Sequence, residues 1–374
     1  MSNDPISLLA ELVKIPSVCG EESEIANFIE RWLKRKGLPV EMLEVKPNRP
    51  DVISRVNVSN AGPRILLNGH MDTVAPGEGW THDPFAADVE EGKMYGRGTM
   101  DMKSGLACIL SALAQGKEEG LPKRGELLVT AVVDEEAYDW GTYALIQKGF
   151  TKGVNLAMIS EPTNLQIISA HRGRAVFEIE VEGKSAHSST PERGVNAIER
   201  AGLLLNALQN IAGPTHPKMG KSTINTLKIE GGQEEVMLVP DRCRIVIERC
   251  IIPGYDSQTA LKDLEELIRK VGIEAKVRFL PRETPRCDPY EIPNDDPNVQ
   301  LVVGAAGRVL GGIPEIGFHY SPCDSCILVN QGRVPTLEFG PSGGRLHESD
   351  EFVEIESVLK TTEVYKEVIR TFMS

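Results

Sequence analysis

The stretch RILLNGHMDTV, residues 64–74, is the part of the sequence that decides the fold. Its apolar run, Ile65-Leu66-Leu67, ends in Asn68-Gly69-His70, and Asp72 follows two residues later. A short apolar run bounded by glycine is typical of a strand buried in a parallel sheet. Because ligands of open α/β sheets lie beyond the carboxyl ends of the strands, the same stretch also marks a candidate site.

Similar β-type runs lie on both sides of this stretch, at residues 51–58, 126–133 and 156–160. Helical patterns at 102–120 and 140–149 separate the runs that follow residue 64. Residues 5–15 and 21–36 carry apolar side chains at three- and four-residue spacing, which predicts two further amphipathic helices. Strands that alternate with helices predict an α/β domain with a mixed, largely parallel sheet.

The pattern changes after residue 171. RAVFEIEVEG, residues 174–183, alternates as a half-exposed antiparallel strand does, and a helix, two strands, a helix and a strand follow up to about residue 280. The order β-α-β-β-α-β is that of a ferredoxin-like α+β sandwich. We therefore predict a catalytic domain of residues 1–173 and 284–374, interrupted by an inserted domain of residues 174–283. Two domains also fit a chain of 374 residues.

Composition excludes several classes of protein. The net charge of −13, without any Lys/Arg-rich run, argues against nucleic-acid binding. No apolar run approaches the roughly 18 residues of a membrane span, and the first residues lack the pattern of a signal peptide. Seven scattered cysteines, an odd number, do not form a disulfide framework. We expect a cytoplasmic protein.

Acidic residues and histidines follow the predicted strands of the first domain. Each has an ordinary alternative, such as a helix cap for Asp101 or a solvated helix start for Glu135 and Glu136. Gathered at one sheet edge, however, these groups would repel one another unless a cation lay between them. Two imidazoles and several carboxylates suit zinc or a related divalent metal, and their number suggests two ions. The candidates are His70, Asp72, Asp101, Glu135, Glu136, Glu161 and His347.

Two of these candidates lie where they would act on a neighbour. A metal-binding imidazole usually donates its other N–H to a carboxylate, and Asp72 is placed to accept from His70. Glu135 and Glu136 are adjacent and so point in different directions. One of them can bind metal while the other remains free to accept a proton.

At these residues the chain resembles the M20 metallopeptidases, the group of acetylornithine deacetylase, succinyl-diaminopimelate desuccinylase, carboxypeptidase G2 and aminoacylase. The matching motifs run through nearly the whole chain: GHMDTVAPGEGW, YGRGTMDMKSG, VVDEEAYDWGT, ISEPTNL, GKSAHSSTPERGVNAI and HESDEF. The resemblance implies that Asp101 bridges two metal ions, with His70 and Glu161 completing one site and Glu136 and His347 the other. It makes Glu135 the general base and Asp72 the partner of His70.

The resemblance also assigns roles within the inserted domain. His187 matches a histidine that reaches the partner subunit's active site and stabilises the oxyanion. Asn225 and Arg249 match positions that bind substrate, the arginine through a carboxylate. The inserted domain is the usual dimerisation surface of the family, so a homodimer is implied.

The function implied is removal of an acyl group from an N-acyl amino acid, as by an acetylornithine deacetylase or succinyl-diaminopimelate desuccinylase. A metallo-carboxypeptidase or dipeptidase is the alternative, and a non-catalytic dimeric binding protein is a more distant one. Zinc is the expected metal, with cobalt and manganese as alternatives. The sequence departs from the family at Ser104 and in SPCDSC, residues 321–326, where Cys323 and Cys326 form a C-x-x-C whose redox or metal-binding use lacks other support.

Overall fold

The computed structural model describes residues 3–59, 61–211 and 213–374. They form two compact units. The first contains residues up to Ala170, Ile292–Gly317 and Cys323–Ser374, and the second contains His171–Glu291 and Phe318–Pro322. The second unit begins at His171 and ends at Glu291, whereas the prediction was 174–283, and it includes the short segment Phe318–Pro322, which the sequence did not predict.

The helices of the described residues are α1 (Pro5–Val13), α2 (Ser23–Arg35), α3 (Lys103–Glu118), α4 (Trp140–Gln147), α5 (Ala197–Gln209), α6 (Ser257–Val271), α7 (Pro297–Leu310), α8 (Asp324–Asn330) and α9 (Ile355–Met373). The strands are β1 (Glu41–Lys46), β2 (Arg49–Asn57), β3 (Arg64–His70), β4 (Asp88–Glu90), β5 (Lys93–Tyr95), β6 (Glu126–Val132), β7 (Leu156–Ile159), β8 (Ile167–His171), β9 (Gly173–Glu182), β10 (Thr215–His216), β11 (Gly220–Lys221), β12 (Ile224–Gly231), β13 (Arg242–Ile251), β14 (Ala275–Phe279), β15 (Tyr290–Glu291), β16 (Ile316–His319), β17 (Thr336–Glu338), β18 (Gly343–Gly344) and β19 (Phe352–Glu354).

The first unit is built on a mixed sheet whose strands run in the order β1-β2-β6-β3-β7-β17-β8. Strand β3 pairs in parallel with both β6 and β7, and β17 pairs in parallel with β7, whereas β1 and β2 are antiparallel additions at one edge. β3 is buried from Ile65 to His70, as its apolar sequence predicted. The carboxyl ends of β3, β6 and β7 therefore lie side by side.

Helices cover this sheet because their apolar faces need burial. Helix α3 contacts β3 and β6 and packs between α1 and α9, while α8 contacts β7 and β17. One core cluster joins Leu66, Leu128 and Ile159 of the central strands to Leu328 of α8. A small second sheet, in the order β18-β19-β5-β4, joins residues near 90 to residues near 350.

The second unit contains an antiparallel sheet in the order β12-β13-β9-β14. Its elements follow one another as strand, helix, two strands, helix and strand, with a two-stranded hairpin of β10 and β11 between α5 and β12. Alternate residues of β9 and β13, for example Phe177 and Ile245, point into a core shared with α5 and α6, where they join Leu204 of α5. On the other side of the sheet Glu178 forms ion pairs with Arg244 and Arg278.

Most predicted elements are confirmed within one or two residues of their ends. Strand β1, helix α9 and the small sheet were not predicted from the sequence. Among the described residues, no helix combines the length and the apolar character that crossing a membrane requires.

Candidate metal centre

Five segments of the first unit converge at the carboxyl ends of its parallel strands. His70 is the last residue of β3, Glu135 and Glu136 follow β6, and Glu161 follows β7. Asp101 precedes α3, whose N-cap is Met102, so Asp101 is not the cap that the ordinary alternative required. His347 lies between β18 and β19 with a φ of 61°, in the left-handed region.

Asp101 lies between the two histidines. Its Oδ1 is 3.1 Å from Nε2 of His70, and its Oδ2 is 3.2 Å from Nε2 of His347. On the His70 side, Oε1 of Glu161 lies 3.6 Å from the same Nε2. On the other side, Oε1 of Glu136 lies 3.2 Å from Nε2 of His347. One carboxylate thus faces two separate donor pairs, the arrangement that a bridging role requires.

The tautomer of His70 shows why this arrangement suits a cation. Nδ1 of His70 lies 2.9 Å from the backbone carbonyl oxygen of Asp72, which can only accept a hydrogen bond. Nδ1 therefore carries a proton, and in the neutral ring Nε2 presents a lone pair. That lone pair faces oxygens of Asp101, Glu135 and Glu161 within 3.9 Å. Either the ring is protonated or a cation lies among these groups.

Burial strengthens the same argument. His70 is fully buried and Glu161 is 6% exposed, and the Oε1 atom of Glu161 is buried without a hydrogen-bond partner. Burial raises the pKa of Glu161 well above its usual value, and the charge of Asp101 adds to that effect. Burial also raises the pKa of Glu135. Carboxylates this deeply buried are unfavourable as anions unless positive charge compensates them.

The donor set fits two divalent ions. Zinc binds histidine nitrogen and carboxylate oxygen at about 2.0–2.2 Å, so two ligands of one tetrahedral ion lie about 3.3 Å apart. The distances from His70 Nε2 to Asp101 (3.1 Å) and to Glu161 (3.6 Å), and those of 3.2 Å from His347 Nε2 to Asp101 and Glu136, agree with that value. Nitrogen and oxygen ligands without thiolate suit zinc, cobalt or manganese.

Asp72 has contacts beyond the one with His70 that the sequence indicated. Its carboxylate lies 3.7 Å from Nδ1 of His70, while its backbone carbonyl makes the hydrogen bond to that ring. The carboxylate instead accepts hydrogen bonds from the backbone N–H groups of Glu135, at 3.2 Å, and Glu136, at 3.0 Å. Burial raises the pKa of Asp72 to about 7. Asp72 therefore positions the two glutamates as well as the histidine.

A second group of residues holds the segment of Glu135 and Glu136 in place, and it was not identified from the sequence. Arg49 lies 2.6 Å from Oδ1 of Asp134, the residue before Glu135, and 2.5 Å from Oε1 of the buried Glu22. Asp134 has a φ of 71°, and its carbonyl accepts from the N–H groups of the next turn. Cys19, Glu22 and Asp134 also form a group able to bind metal, but the Arg49 guanidinium supplies the positive charge there. The acidic run DEE, residues 134–136, could have indicated that a nearby cation such as Arg49 is needed.

Asp324 and the two cysteines of CDSC are buried beside the strand ends. Asp324 accepts a hydrogen bond of 3.0 Å from Asn68, whose side-chain oxygen accepts one from Thr130. Sγ of Cys323 donates to Oε1 of Glu338 at 2.7 Å. Burial raises the pKa of both Cys323 and Cys326, which keeps these thiols protonated and unreactive.

The remaining predicted site residues belong to the second unit. His187 is exposed, and its Nδ1 accepts from the N–H of Ser189. Asn225 is exposed on β12. Arg249, by contrast, is 2% exposed, and its Nη2 donates to the hydroxyl of Tyr255 at 3.4 Å, which in turn donates to Asp263. The sequence did not indicate this buried environment.

Comparison with known proteins identifies a family for the chain. The sequence profile of peptidase family M20/M25/M40 matches residues 66–371. A relative from Staphylococcus epidermidis, named probable succinyl-diaminopimelate desuccinylase, is 27% identical over 403 residues, covering 99% of this chain and 98% of its own. Aminopeptidase PepT from Bacillus cereus has a similar fold, with a TM-score of 0.81, 21% identity and full coverage of both chains.

A dinuclear metal-binding peptidase of the M20 family from Bacillus subtilis also shares the fold. Its TM-score is 0.73 at 18% identity, with 99% of this chain and 97% of that chain covered. The profile match extends over most of the chain and includes His70, Asp101, Glu135, Glu136, Glu161 and His347. The chain therefore belongs to the M20/M25/M40 peptidase family and is a hydrolase of amide bonds.

Proposed function

We propose that this protein is a two-metal hydrolase that removes the acyl group from an N-acyl amino acid, of the succinyl-diaminopimelate desuccinylase type. The observation that carries the proposal is the position of Asp101, whose two oxygens face His70 with Glu161 on one side and His347 with Glu136 on the other. The acyl specificity is supported by the name of the Staphylococcus relative. Its substrate would be a small molecule that carries a free carboxylate.

The residues of the site would have two roles, metal binding and proton transfer. His70, Asp101, Glu136, Glu161 and His347 would hold two divalent ions, most simply zinc, and such ions lower the pKa of bound water and polarise a carbonyl group. Glu135 would accept the proton of the attacking water and return it to the leaving amine. Its carboxylate has an oxygen 3.9 Å from His70, and its backbone N–H is fixed by Asp72.

The second unit would supply substrate binding. We propose that it is a ferredoxin-like inserted domain, which its element order and its strand order β12-β13-β9-β14 support. Exposed His187 would stabilise the oxyanion in a partner subunit, and Asn225 would bind substrate. Arg249 would bind the substrate carboxylate, which requires its guanidinium to exchange the Tyr255 hydroxyl for the ligand.

Homodimerisation through this unit is part of the proposal. Strand β12 is an edge strand whose residues 225–231 are all exposed, including Leu227 at 46% and Ile229 at 48%. An exposed apolar edge strand is a template for pairing with another chain. The double variant Leu227→Lys/Ile229→Lys should shift the sedimentation coefficient from dimer to monomer. Ile313→Lys, at an equally apolar and 89% exposed position in the first unit, is the control and should remain dimeric.

The activity is tested by metal content and turnover together. The substrates would be N-succinyl-diaminopimelate, N-acetylornithine, N-acetylcitrulline, an N-acetyl hydrophobic amino acid and a dipeptide. Wild type should hydrolyse the succinyl compound best; Glu135→Ala should retain its metal and lose activity, and Glu136→Ala should lose both. Glu11→Ala, at an exposed position of α1, is the control. Preference for the dipeptide would instead assign a peptidase. Metal-loaded protein that hydrolyses none of them would contradict the substrate class, and protein without metal affinity would contradict the site.

A further inference from the structure

A buried ion pair joins the chain segment that carries Asp101 to the one that carries His347. We propose that Arg97 and Glu351 act as positioning residues for Asp101 and His347. They would hold these two ligands at the separation required by the ion that Asp101, His347 and Glu136 would bind. The inference rests on the proposed function, because it concerns the same two ion sites. Neither residue belongs to the ligand set, and neither was singled out by the sequence.

Glu351 binds the backbone of the Asp101 segment. The residue is fully buried, and its Oε1 accepts from the N–H of Met100 at 2.7 Å and from the N–H of Asp101 itself at 3.0 Å. Its Oε2 accepts from the N–H of Gly98 at 3.2 Å and from Nη1 of Arg97. Four donors converge on one carboxylate, and three of them are peptide N–H groups of residues 98–101. Glu351 thus fixes the backbone from which the Asp101 side chain projects.

Arg97 binds the segment on the other side. The residue is 1% exposed, and its Nη2 donates to the backbone carbonyl of Glu348 at 3.1 Å, one residue after His347. The same nitrogen lies 3.3 Å from the carbonyl of Pro76, and the Trp80 ring lies 5.2 Å from the guanidinium carbon. Arg97 therefore contacts both Glu351 and the peptide group beside His347, as a planar guanidinium with several donors can.

His347 depends on this support. Its side chain is 50% exposed, and its Nε2 lies 3.2 Å from a carboxylate oxygen of Asp101 and 3.2 Å from one of Glu136. Its backbone lies in the left-handed region, with a φ of 61°. The backbone N–H of Gly96 also donates to the carbonyl of Glu351, which continues the pairing of β5 with β19. The ring position thus follows from how the 345–351 segment is attached to residues 96–101.

A purely stabilising ion pair is the competing interpretation, and the two differ in what a variant changes. A stabilising pair would affect the free energy of unfolding and leave the metal affinity of the folded protein unaltered. Positioning residues outside the ligand shell of metal sites typically affect metal affinity by about 10- to 100-fold. Replacing Glu351 by glutamine preserves its shape but turns one acceptor oxygen into an N–H₂ donor among N–H donors.

The test compares Glu351→Gln and Arg97→Lys with Glu356→Gln. The last makes the same chemical change at an exposed position, where Glu356 pairs with the exposed Lys360. Zn²⁺ affinity would be measured by competition with a chromophoric chelator, at a temperature well below the melting temperature of each variant. Co²⁺ absorption would report the coordination geometry.

We expect Glu351→Gln to reduce Zn²⁺ affinity at the weaker of the two sites by about 10- to 100-fold and to change the Co²⁺ spectrum. Arg97→Lys keeps the charge but replaces the forked group that reaches Glu348, so a loss of about 10-fold is expected. This variant decides the question if Glu351→Gln does not fold. Glu356→Gln should match wild type.

Three results would overturn the inference. Folded variants with wild-type affinities and spectra would show that the pair only stabilises the unit, while wild-type metal binding would leave the proposed function intact. Wild-type protein that binds no Zn²⁺ would refute the proposed function and this inference together. A loss of affinity that merely follows the unfolded fraction, measured by circular dichroism, would also refute the positioning role.

Discussion

Two glycines of helix α3 allow a sharp test of how Glu161 is positioned. A Cβ atom added at Gly105 would overlap the carbonyl oxygen of Ser160 and would lie 2.8 Å from both the carbonyl carbon and the Cβ of that residue. Ser160 immediately precedes Glu161 and is fully buried. A Cβ atom added at Gly116, in the same helix, would lie 3.7 Å from Cβ of Leu121, an ordinary contact.

The same substitution should therefore have opposite effects at the two positions. Gly116→Ala should stabilise the protein by about 0.5–1 kcal/mol, since alanine loses less backbone entropy in a helix than glycine does. Gly105→Ala gains the same propensity, but α3 and the end of β7 must separate, because the colliding atoms are backbone that cannot rotate away. Forced overpacking typically costs about 1–3 kcal/mol. We expect Gly105→Ala to destabilise the first unit by about 2 kcal/mol and to weaken Zn²⁺ binding.

Urea unfolding followed by tryptophan fluorescence measures these effects. The three tryptophans, Trp32, Trp80 and Trp140, all lie in the first unit, so their signal reports the unit that is perturbed. Chelator competition would measure the Zn²⁺ affinity of the same samples. A Gly105→Ala protein as stable as Gly116→Ala, with wild-type affinity, would refute the proposed contact between α3 and Ser160.

Three further predictions follow from contacts elsewhere in the chain. Arg49→Met should destabilise the protein by about 3–5 kcal/mol, because it leaves the buried carboxylates of Glu22 and Asp134 unpaired. Its control is Arg55→Met, also on β2, which removes a more exposed partner of Glu126. This variant should cost about 1 kcal/mol or less in the same denaturation assay. Removal of metal with a chelator should lower the melting temperature. Zn²⁺ at 100 times its dissociation constant should then raise the free energy of unfolding by about 2.7 kcal/mol. An unchanged melting temperature would contradict metal binding at the buried carboxylates. Asp256 caps α6 by accepting from the N–H and hydroxyl of Thr259, and these bonds lower its pKa. A carboxylate whose pKa is lowered in the folded state stabilises the fold above its unfolded-state pKa of about 3.9, and this stabilisation is lost as the pH falls through its folded-state pKa. Asp256→Ala should therefore lower the free energy of unfolding by about 1 kcal/mol at pH 7 and by less at pH 3. Asp256→Asn should change it little at either pH.

The sequence predicted those parts of the fold that have a local signal. Strand β6 and helix α3, predicted at residues 126–133 and 102–120, were both placed within two residues of their observed ends. Strands β18 and β19 contain two and three residues, too few for a period, and they exist because β19 pairs with β5 some 250 positions earlier in the chain. Helix α9 was missed although its buried Val364, Tyr365 and Val368 follow a helical spacing that could have been recognised.

The site was predictable as a set of residues, but its supporting contacts were not. Strand ends and motifs identified His70, Asp101 and Glu161, because parallel strands bring their carboxyl ends together. Nothing in the local sequence shows that Arg97 contacts Glu351 or that Arg49 contacts Asp134, since those partners lie 254 and 85 residues apart. Likewise the family resemblance suggested that Arg249 binds a carboxylate, whereas its burial beside Tyr255 depends on how the second unit folds.

Asp72 shows how the register of a sheet decides what a motif does. The spacing His-x-Asp allows either the carboxylate or the backbone carbonyl of the aspartate to reach the imidazole. Parallel pairing sets His70 opposite Val132, so the chain after β3 runs beside the chain after β6. The Asp72 carboxylate then meets the N–H groups of Glu135 and Glu136, which would otherwise be unsatisfied near a buried site, and the carbonyl is left for His70. One residue thereby fixes the tautomer of a metal-ligand candidate and the position of the candidate base. Its replacement by asparagine keeps the backbone carbonyl but leaves one side-chain acceptor oxygen for two N–H groups, so it should displace the two glutamates while His70 keeps its tautomer.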